Sequence, residues 1–247
     1  MNQRPKFFGC FWPLLICLVA TCFSPRTFAK YTSWQAGDII LIRTLGRTAT
    51  AISQTIPKAP YSHVGLLWPE NGKMMVLEVW KKVQKVSLGD FTKRQAPQSK
   101  MAVYRVHELD RLAKQNPDDF NRLMDQMYQV FTALENRPYD DLYGLGQAFY
   151  CSNFVQHLLN QVLSKKIPSH PMQFKAKFWR EYFAEKEISE VPQKVPGIAP
   201  GDFARSKLFK EIFVSVPATK PVSAIITPAT PPSICAPLFW DKIPKFN

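Results

Sequence analysis

The dipeptide Asn71-Gly72, set between "YSHVGLLWPE" and "KMMVLEVW", constrains this chain more than any other feature. Both residues tolerate positive φ, and an Asn-Gly pair between two apolar runs is a strong signal for a two-residue hairpin turn. Such a turn fixes the register. Glu70 faces Lys73, and the opposed pairs count outward until Gly65 faces Glu78 and His63 faces Trp80. His63, Gly65 and Glu78 then share one sheet face, with His63 and Glu78 diagonal neighbours about 7–8 Å apart at the backbone. Gly65 leaves space between them. A Glu between Leu77 and Val79 is costly to bury without a partner, and a slip of one residue would turn it to water instead.

Flanking segments extend the sheet. "WQAGDIILIRT" (34–44) reads as a turn leading into a buried strand, and "KVQKVSL" and "MAVYRV" complete a meander, so residues 35–106 are expected to be largely antiparallel sheet. The period then changes. Asn116 caps a helix with Pro117 at its first position, and Phe120, Leu123, Met124, Met127, Phe131 and Leu134 follow at spacings of three and four, up to a stop at Pro138. The loop "YDDLYGLG" leads to a second helix from about Phe149, whose stripe is Cys151, Phe154, Val155, Leu158, Leu159 and Val162. Cys151 heads its buried face. Beyond Ser164 the chain is basic and broken by prolines, with a short helix expected within "MQFKAKFWREYFAEK" and an apolar segment, "SKLFKEIFVSV".

The ends read differently. Arg4 and Lys6, the apolar run "FFGCFWPLLICLVATCF" and "TFA" before Lys30 make residues 1–29 an expected export signal, cleaved after Ala29. The run contains Pro13 and is shorter than the roughly 20 residues a membrane span needs. A lipid anchor on Cys22 is disfavoured, because Thr21 stands where a small Ala or Gly is preferred. Residues 30–216 are expected to form one domain, and residues 217–247 a proline-rich, flexible tail; the chain holds 21 prolines against 10 glycines.

Removing the leader takes Arg4, Lys6 and Arg26 and no acidic residue, so the formal charge of +13 falls by three to +10. A basic exported protein suits anionic polymers or headgroups of the periplasm and cell envelope. No zinc-finger spacing, aromatic RNA-binding signature or long basic helix points to nucleic acid. Of the five cysteines, only Cys151 and Cys235 would remain, and in an oxidising compartment they could pair.

A cysteine in the first turn of a helix sits in the positive field of the backbone dipoles, which favours thiolate. A nucleophile also needs a histidine, oriented in turn by a third group. His157 is six residues along the same helix, about 240° around, and points away from Cys151. His170 lies in "PSHPM", expected to be a loop, and His107 in a charged patch. His63, in an otherwise apolar strand, is the candidate whose neighbour the hairpin supplies. A lone buried histidine is more often a satisfied core residue; Glu78 gives this one a partner.

The order "SHVG", a Glu in the following strand, then "YCS" opening a helix resembles the permuted NlpC/P60 superfamily of papain-like cysteine hydrolases, specifically its YiiX/YebB-like family. The resemblance runs from "GDIIL" through the cysteine helix toward "PGDFARSKLF". It implies an α+β, circularly permuted papain-like fold in which an antiparallel sheet packs against the helix carrying the catalytic cysteine. It further implies Cys151 as nucleophile, His63 as general base and acid, Glu78 as the residue orienting the imidazole, and no cofactor. Tyr139, Asp140 and Tyr150 would be pocket residues, although Asp140 reads more readily as part of a helix-entry loop. Asn153 stands where the resemblance leads us to expect an acidic residue.

The function implied is an exported cysteine peptidase or amidase acting through a thioester, with peptidoglycan fragments as the natural substrate. Two other classes remain open at this point: an acyltransferase or lipid amidase on the same scaffold, and a non-catalytic wall-binding module. A metal hydrolase has little support, since "HELD" is not the two-histidine zinc motif and the four histidines show no ligand spacing.

Overall fold

In the computed structural model the described residues are 34–56, 58–144, 148–175 and 177–215. The expected leader, the proline-rich tail and Cys235 lie outside them. β1 (Ile39–Ile42) and α1 (Arg47–Gln54) precede the hairpin, which is formed by β2 (His63–Glu70) and β3 (Lys73–Val79). Its register is the one the turn dictates: Glu70 pairs with Lys73 and Leu66 with Leu77, and Asn71 and Gly72 take φ of 49° and 71°. β4 (Val83–Ser87), α2 (Leu88–Thr92) and β5 (Ala102–Val106) follow.

The expected meander over residues 35–106 needs correction on two points. Two helices interrupt it, and β1 inserts between β2 and β5, so the six-stranded sheet runs β4-β3-β2-β1-β5-β8, with β8 (Phe209–Val214) at its edge. β1 is buried at all four positions, as a strand covered on both faces must be. The α2 turn was hidden by its brevity; it starts where Ser87 Oγ accepts the Asp90 N–H at 3.0 Å. β8 is the apolar segment "SKLFKEIFVSV", whose strand character only its pairing with β5 reveals.

Two helices follow the expected periodicity, and a third, α3 (His107–Gln115), was not anticipated. After it, α4 (Pro117–Leu134) opens as read, with the Asn116 side chain accepting the Asp119 N–H at 3.2 Å, and buries Met124, Met127, Phe131 and Leu134. α5 (Cys151–Val162) begins two residues later than expected. Phe149 is held extended by a bridge to Tyr139, its carbonyl accepting the Asp140 N–H at 2.8 Å. The α5 stripe packs with Phe131 on one sheet face, against Val64, Leu66, Leu77 and Val79. Ile40, Leu67, Val76, Val103 and Phe91 form a second cluster. Among the described residues no helix is long and apolar enough to cross a membrane.

Beyond α5, β6 (His170–Gln173) and β7 (Gln193–Gly197) form a separate two-stranded ribbon, with α6 (Lys177–Ala184) between them in sequence and α7 (Pro200–Arg205) after them. His170 therefore begins a strand rather than sitting in a loop. Pro171 opposes Pro196, and a ribbon with two open edges tolerates their missing N–H groups.

Candidate active site

The hairpin brings its two polar residues together. His63 Nε2 and Glu78 Oε2 lie 2.7 Å apart, with Glu78 fully buried and His63 nearly so. The other carboxylate oxygen accepts Gln84 Nε2 from β4 at 2.8 Å and Arg94 Nη2, just beyond α2, at 2.6 Å. Burial opposes the Glu78 charge, but the hydrogen bond to His63 and the charges of His63 and Arg94 outweigh it and hold the carboxyl below its usual range.

The imidazole is also fixed by shape. It stacks on Phe91 at 5.2 Å between centroids and meets the edge of Trp80 at 5.0 Å. The Arg94 guanidinium lies over both rings, 4.6 Å from Trp80 and 5.4 Å from Phe91, so one cation closes the carboxylate and the aromatic clamp together. The gap that Gly65 leaves is taken up by packing. A Cβ there would fall 2.3 Å from Val76 Cγ1 and 3.0 Å from Phe91 Cε2.

Cys151 is the first residue of α5 and 3% exposed. Its side chain and that of His63 are hydrogen-bonded; with Nε2 given to Glu78, Nδ1 is the ring nitrogen left to meet the sulfur. Ser152 Oγ is 3.6 Å from Sγ, and the Val64 backbone N–H also points at it. Burial alone would raise the thiol and lower the imidazole. The hydrogen bond and charge of the partner overrule burial at both groups, lowering Cys151 from its ordinary value and pushing His63 up to about 9. Both shifts act in the direction that favours a thiolate–imidazolium pair over two neutral groups.

Asn153 takes part in the start of the helix: its Oδ1 accepts the Tyr150 N–H at 2.8 Å. This is the reach-back that an acidic residue at the same position would make, without the negative charge near Cys151. The N–H of Cys151 belongs to the first helical turn, whose donors lack helical carbonyl partners. It is free to receive a developing oxyanion.

The three further sequence candidates divide. Tyr150 is buried in the wall of a cavity of about 650 Å³ that also takes in Cys151 and Ser152; its hydroxyl accepts the Ile198 N–H at 3.0 Å. Tyr139 is half-buried beside Tyr143, and burial, then the charges of Tyr143 and Cys151, push its phenol upward. Asp140 is spent on its own loop, accepting the Leu142 and Gly144 N–H groups at 3.0 and 2.8 Å. His107 is exposed at the start of α3, His157 packs against Phe149, and His170 lies on the rim of the cavity.

Sequence reasoning missed Gln84, Phe91 and Arg94. The hairpin count had placed Trp80 opposite His63, and a second count across β3 and β4 would have paired Glu78 with Gln84, as the sheet does. Arg94, in "FTKRQ", resembles any solvated basic residue. Among the described residues no group of three or more His, Cys, Asp or Glu is placed to hold a metal ion, and Cys151 carries no disulfide.

Residues 33–213 match the family described as permuted papain-like amidase enzymes, YaeF/YiiX, C92 family. A similar solved structure is the crystal structure of the metalloprotein yiiX from Escherichia coli O157:H7. It has a TM-score of 0.62 at 19% identity, covering 74% of this chain and 98% of that one. That likeness shows the fold. Among curated proteins, none matches the chain.

Proposed function

Because the chain belongs to the permuted papain-like amidases of the YaeF/YiiX, C92 family, we propose that it cleaves an amide bond with Cys151 as nucleophile, His63 as general base and acid, and Glu78 as the group that orients the imidazole. The observation that carries this reading is the placement of His63, hydrogen-bonded to Glu78 through Nε2 and to the Cys151 side chain at its other nitrogen.

The steps follow from that geometry. The Cys151 thiolate attacks the carbonyl carbon, and the Cys151 N–H stabilises the oxyanion. His63 Nδ1–H protonates the leaving nitrogen, the C–N bond breaks, and the acyl group remains on Sγ as a thioester. Neutral His63 then takes a proton from water, which attacks the thioester; the carboxylate leaves and the thiolate–imidazolium pair is restored. Glu78 holds Nε2 throughout and balances the imidazolium charge. An acceptor other than water at the last step would make the same machinery an acyltransferase.

Export and a cell-wall setting form part of this proposal on the strength of the leader-like N-terminus and the charge of +13. The test is incubation under reducing conditions with a panel of muropeptides and N-acyl amides, with Cys151→Ala and His63→Ala as controls. We expect Cys151-linked acyl adducts and loss of hydrolysis in both variants; an active Cys151→Ala enzyme would overturn the reading.

A further inference from the structure

The turn between β3 and β4 lies beside the imidazole. Trp80 meets the His63 ring edge-on at 5.0 Å, and it is still 36% exposed although the Arg94 guanidinium sits over its indole. The residues that follow are tied to the stretch before α5. Lys82 bridges to Pro138, the Tyr139 N–H donates to the Lys81 carbonyl at 3.1 Å, and the Val83 N–H donates to that of Arg137 at 2.8 Å. Tyr139 in turn bridges to Phe149, two residues before Cys151. One ledge therefore runs from Trp80 at the imidazole to Tyr139 on the cysteine side, with Lys81, Lys82 and Arg137 exposed along it.

The charge of this ledge is not spent internally. Among the described residues no carboxylate forms an ion pair with Lys81, Lys82 or Arg137. Lys82 Nζ donates to the neutral Asn136 side chain at 2.7 Å. Carboxylates close in the chain are committed elsewhere: Glu78 to His63 and Arg94, Asp140 to its own loop, and Asp141 to Lys186. That leaves Glu135, exposed two residues before Arg137, against three cations.

A departing amine must cross this surface. Its nitrogen takes a proton from His63 and so comes within hydrogen-bond reach of that ring. The substituents on the nitrogen then extend over the exposed neighbour of the imidazole, Trp80, and onto the ledge. The cavity beside Cys151 is a separate place, since its walls include none of Trp80, Lys81 and Tyr139.

Resting on the amidase reading above, we propose that the ledge binds the amine half of the substrate and selects one that carries a carboxylate, so that the bond cut joins an acyl group to an amino acid or to the C-terminal residue of a peptide. Hydrolysis then releases a free amino group and leaves the carboxylate of the departing residue unchanged. An exposed ion pair is worth up to about fivefold in affinity, and its effect falls with salt.

Cys151 itself reports the charge of the ledge without any substrate. Alkylation by anionic iodoacetate is compared with alkylation by neutral iodoacetamide in the wild type and in the double variant Lys81→Gln/Arg137→Gln. Both reagents meet the same sulfur, so the ratio of their rates cancels any change in thiolate content. The ratio should fall about fivefold in the double variant, and the wild-type ratio should fall toward that of the variant in 1 M salt. In turnover, N-benzoyl amides of glycine, glycinamide and ethylenediamine should rank in that order of kcat/KM, with the spread narrowed in the double variant and the glycinamide rate little changed. A reagent ratio that is equal in both proteins, or a ranking that favours the cationic amine, would overturn the ledge proposal while leaving the amidase reading intact. A ratio that falls as expected, with no amide hydrolysed, would sustain the ledge and remove the amidase reading.

Discussion

His63 Nε2 and Glu78 Oε2, 15 residues apart in sequence, meet at 2.7 Å because a two-residue turn between them sets the register of the two strands. The carboxylate supports the positive charge of the imidazole, and removing that charge should be visible in the pH profile. In the wild type the active thiolate–imidazolium form exists above the lowered Cys151 pKa and below the His63 value of about 9, giving a bell-shaped rate with its alkaline limb there. In Glu78→Gln the hydrogen-bond geometry is retained but the negative charge is gone, so His63 loses its proton more readily. The alkaline limb should move to lower pH, with kcat reduced by roughly 10²-fold; a limb that stays in place would contradict the assigned role.

Arg94 should shift the same limb the other way. Its guanidinium lies 2.6 Å from Glu78 Oε1 and offsets part of the carboxylate charge that the imidazolium feels. In Arg94→Met the carboxylate acts on His63 without that competitor, so the alkaline limb should move to higher pH. Losing a charged hydrogen-bond partner of a buried group should also cost about 1–3 kcal/mol of stability, measurable by urea unfolding.

Gly65 tests how closely the clamp is packed. A methyl at this position must displace Val76 or the Phe91 ring on which His63 rests. Gly65→Ala should cost about 1–3 kcal/mol in stability and lower kcat with KM little changed, because the imidazole moves and the cavity does not. A change confined to KM would argue against this.

Asn153 separates capping from charge. Asn153→Ala removes the acceptor of the Tyr150 N–H and should cost about 1 kcal/mol, with the reactivity of Cys151 nearly unchanged. Asn153→Asp keeps the acceptor but places a negative charge in the first turn beside the thiolate, so stability should hold while thiol alkylation at pH 6 slows. Equal alkylation rates in both variants would remove the electrostatic part of this account.

How much of the site was legible followed from the range of the interactions involved. The turn residues set the register, and the register set His63 and Glu78 on one face, so two members of the site could be counted from a local signal. The Asn116 cap and the α4 and α5 stripes were local in the same sense. What was not legible depended on contacts between distant segments. The insertion of β1 between β2 and β5, the edge pairing of β8 and the reach of Arg94 to Glu78 leave no periodicity in the chain. Asp140 was legible too: the resemblance offered it as a pocket residue, but its setting favoured a helix-entry loop, and its carboxylate closes that loop through the Leu142 and Gly144 amides.

The central claim is that Cys151 is a thiolate paired with protonated His63 at neutral pH, and the rate of its alkylation against pH tests it most directly. Iodoacetamide modification of the Cys151 peptide, followed by mass spectrometry, should already be fast at pH 6, far above the rate of an ordinary thiol. It should fall back toward ordinary kinetics in His63→Ala. A wild-type rate that instead rises through the usual thiol range near pH 8.5, and is unchanged in His63→Ala, would contradict the ion pair and with it the proposed nucleophile.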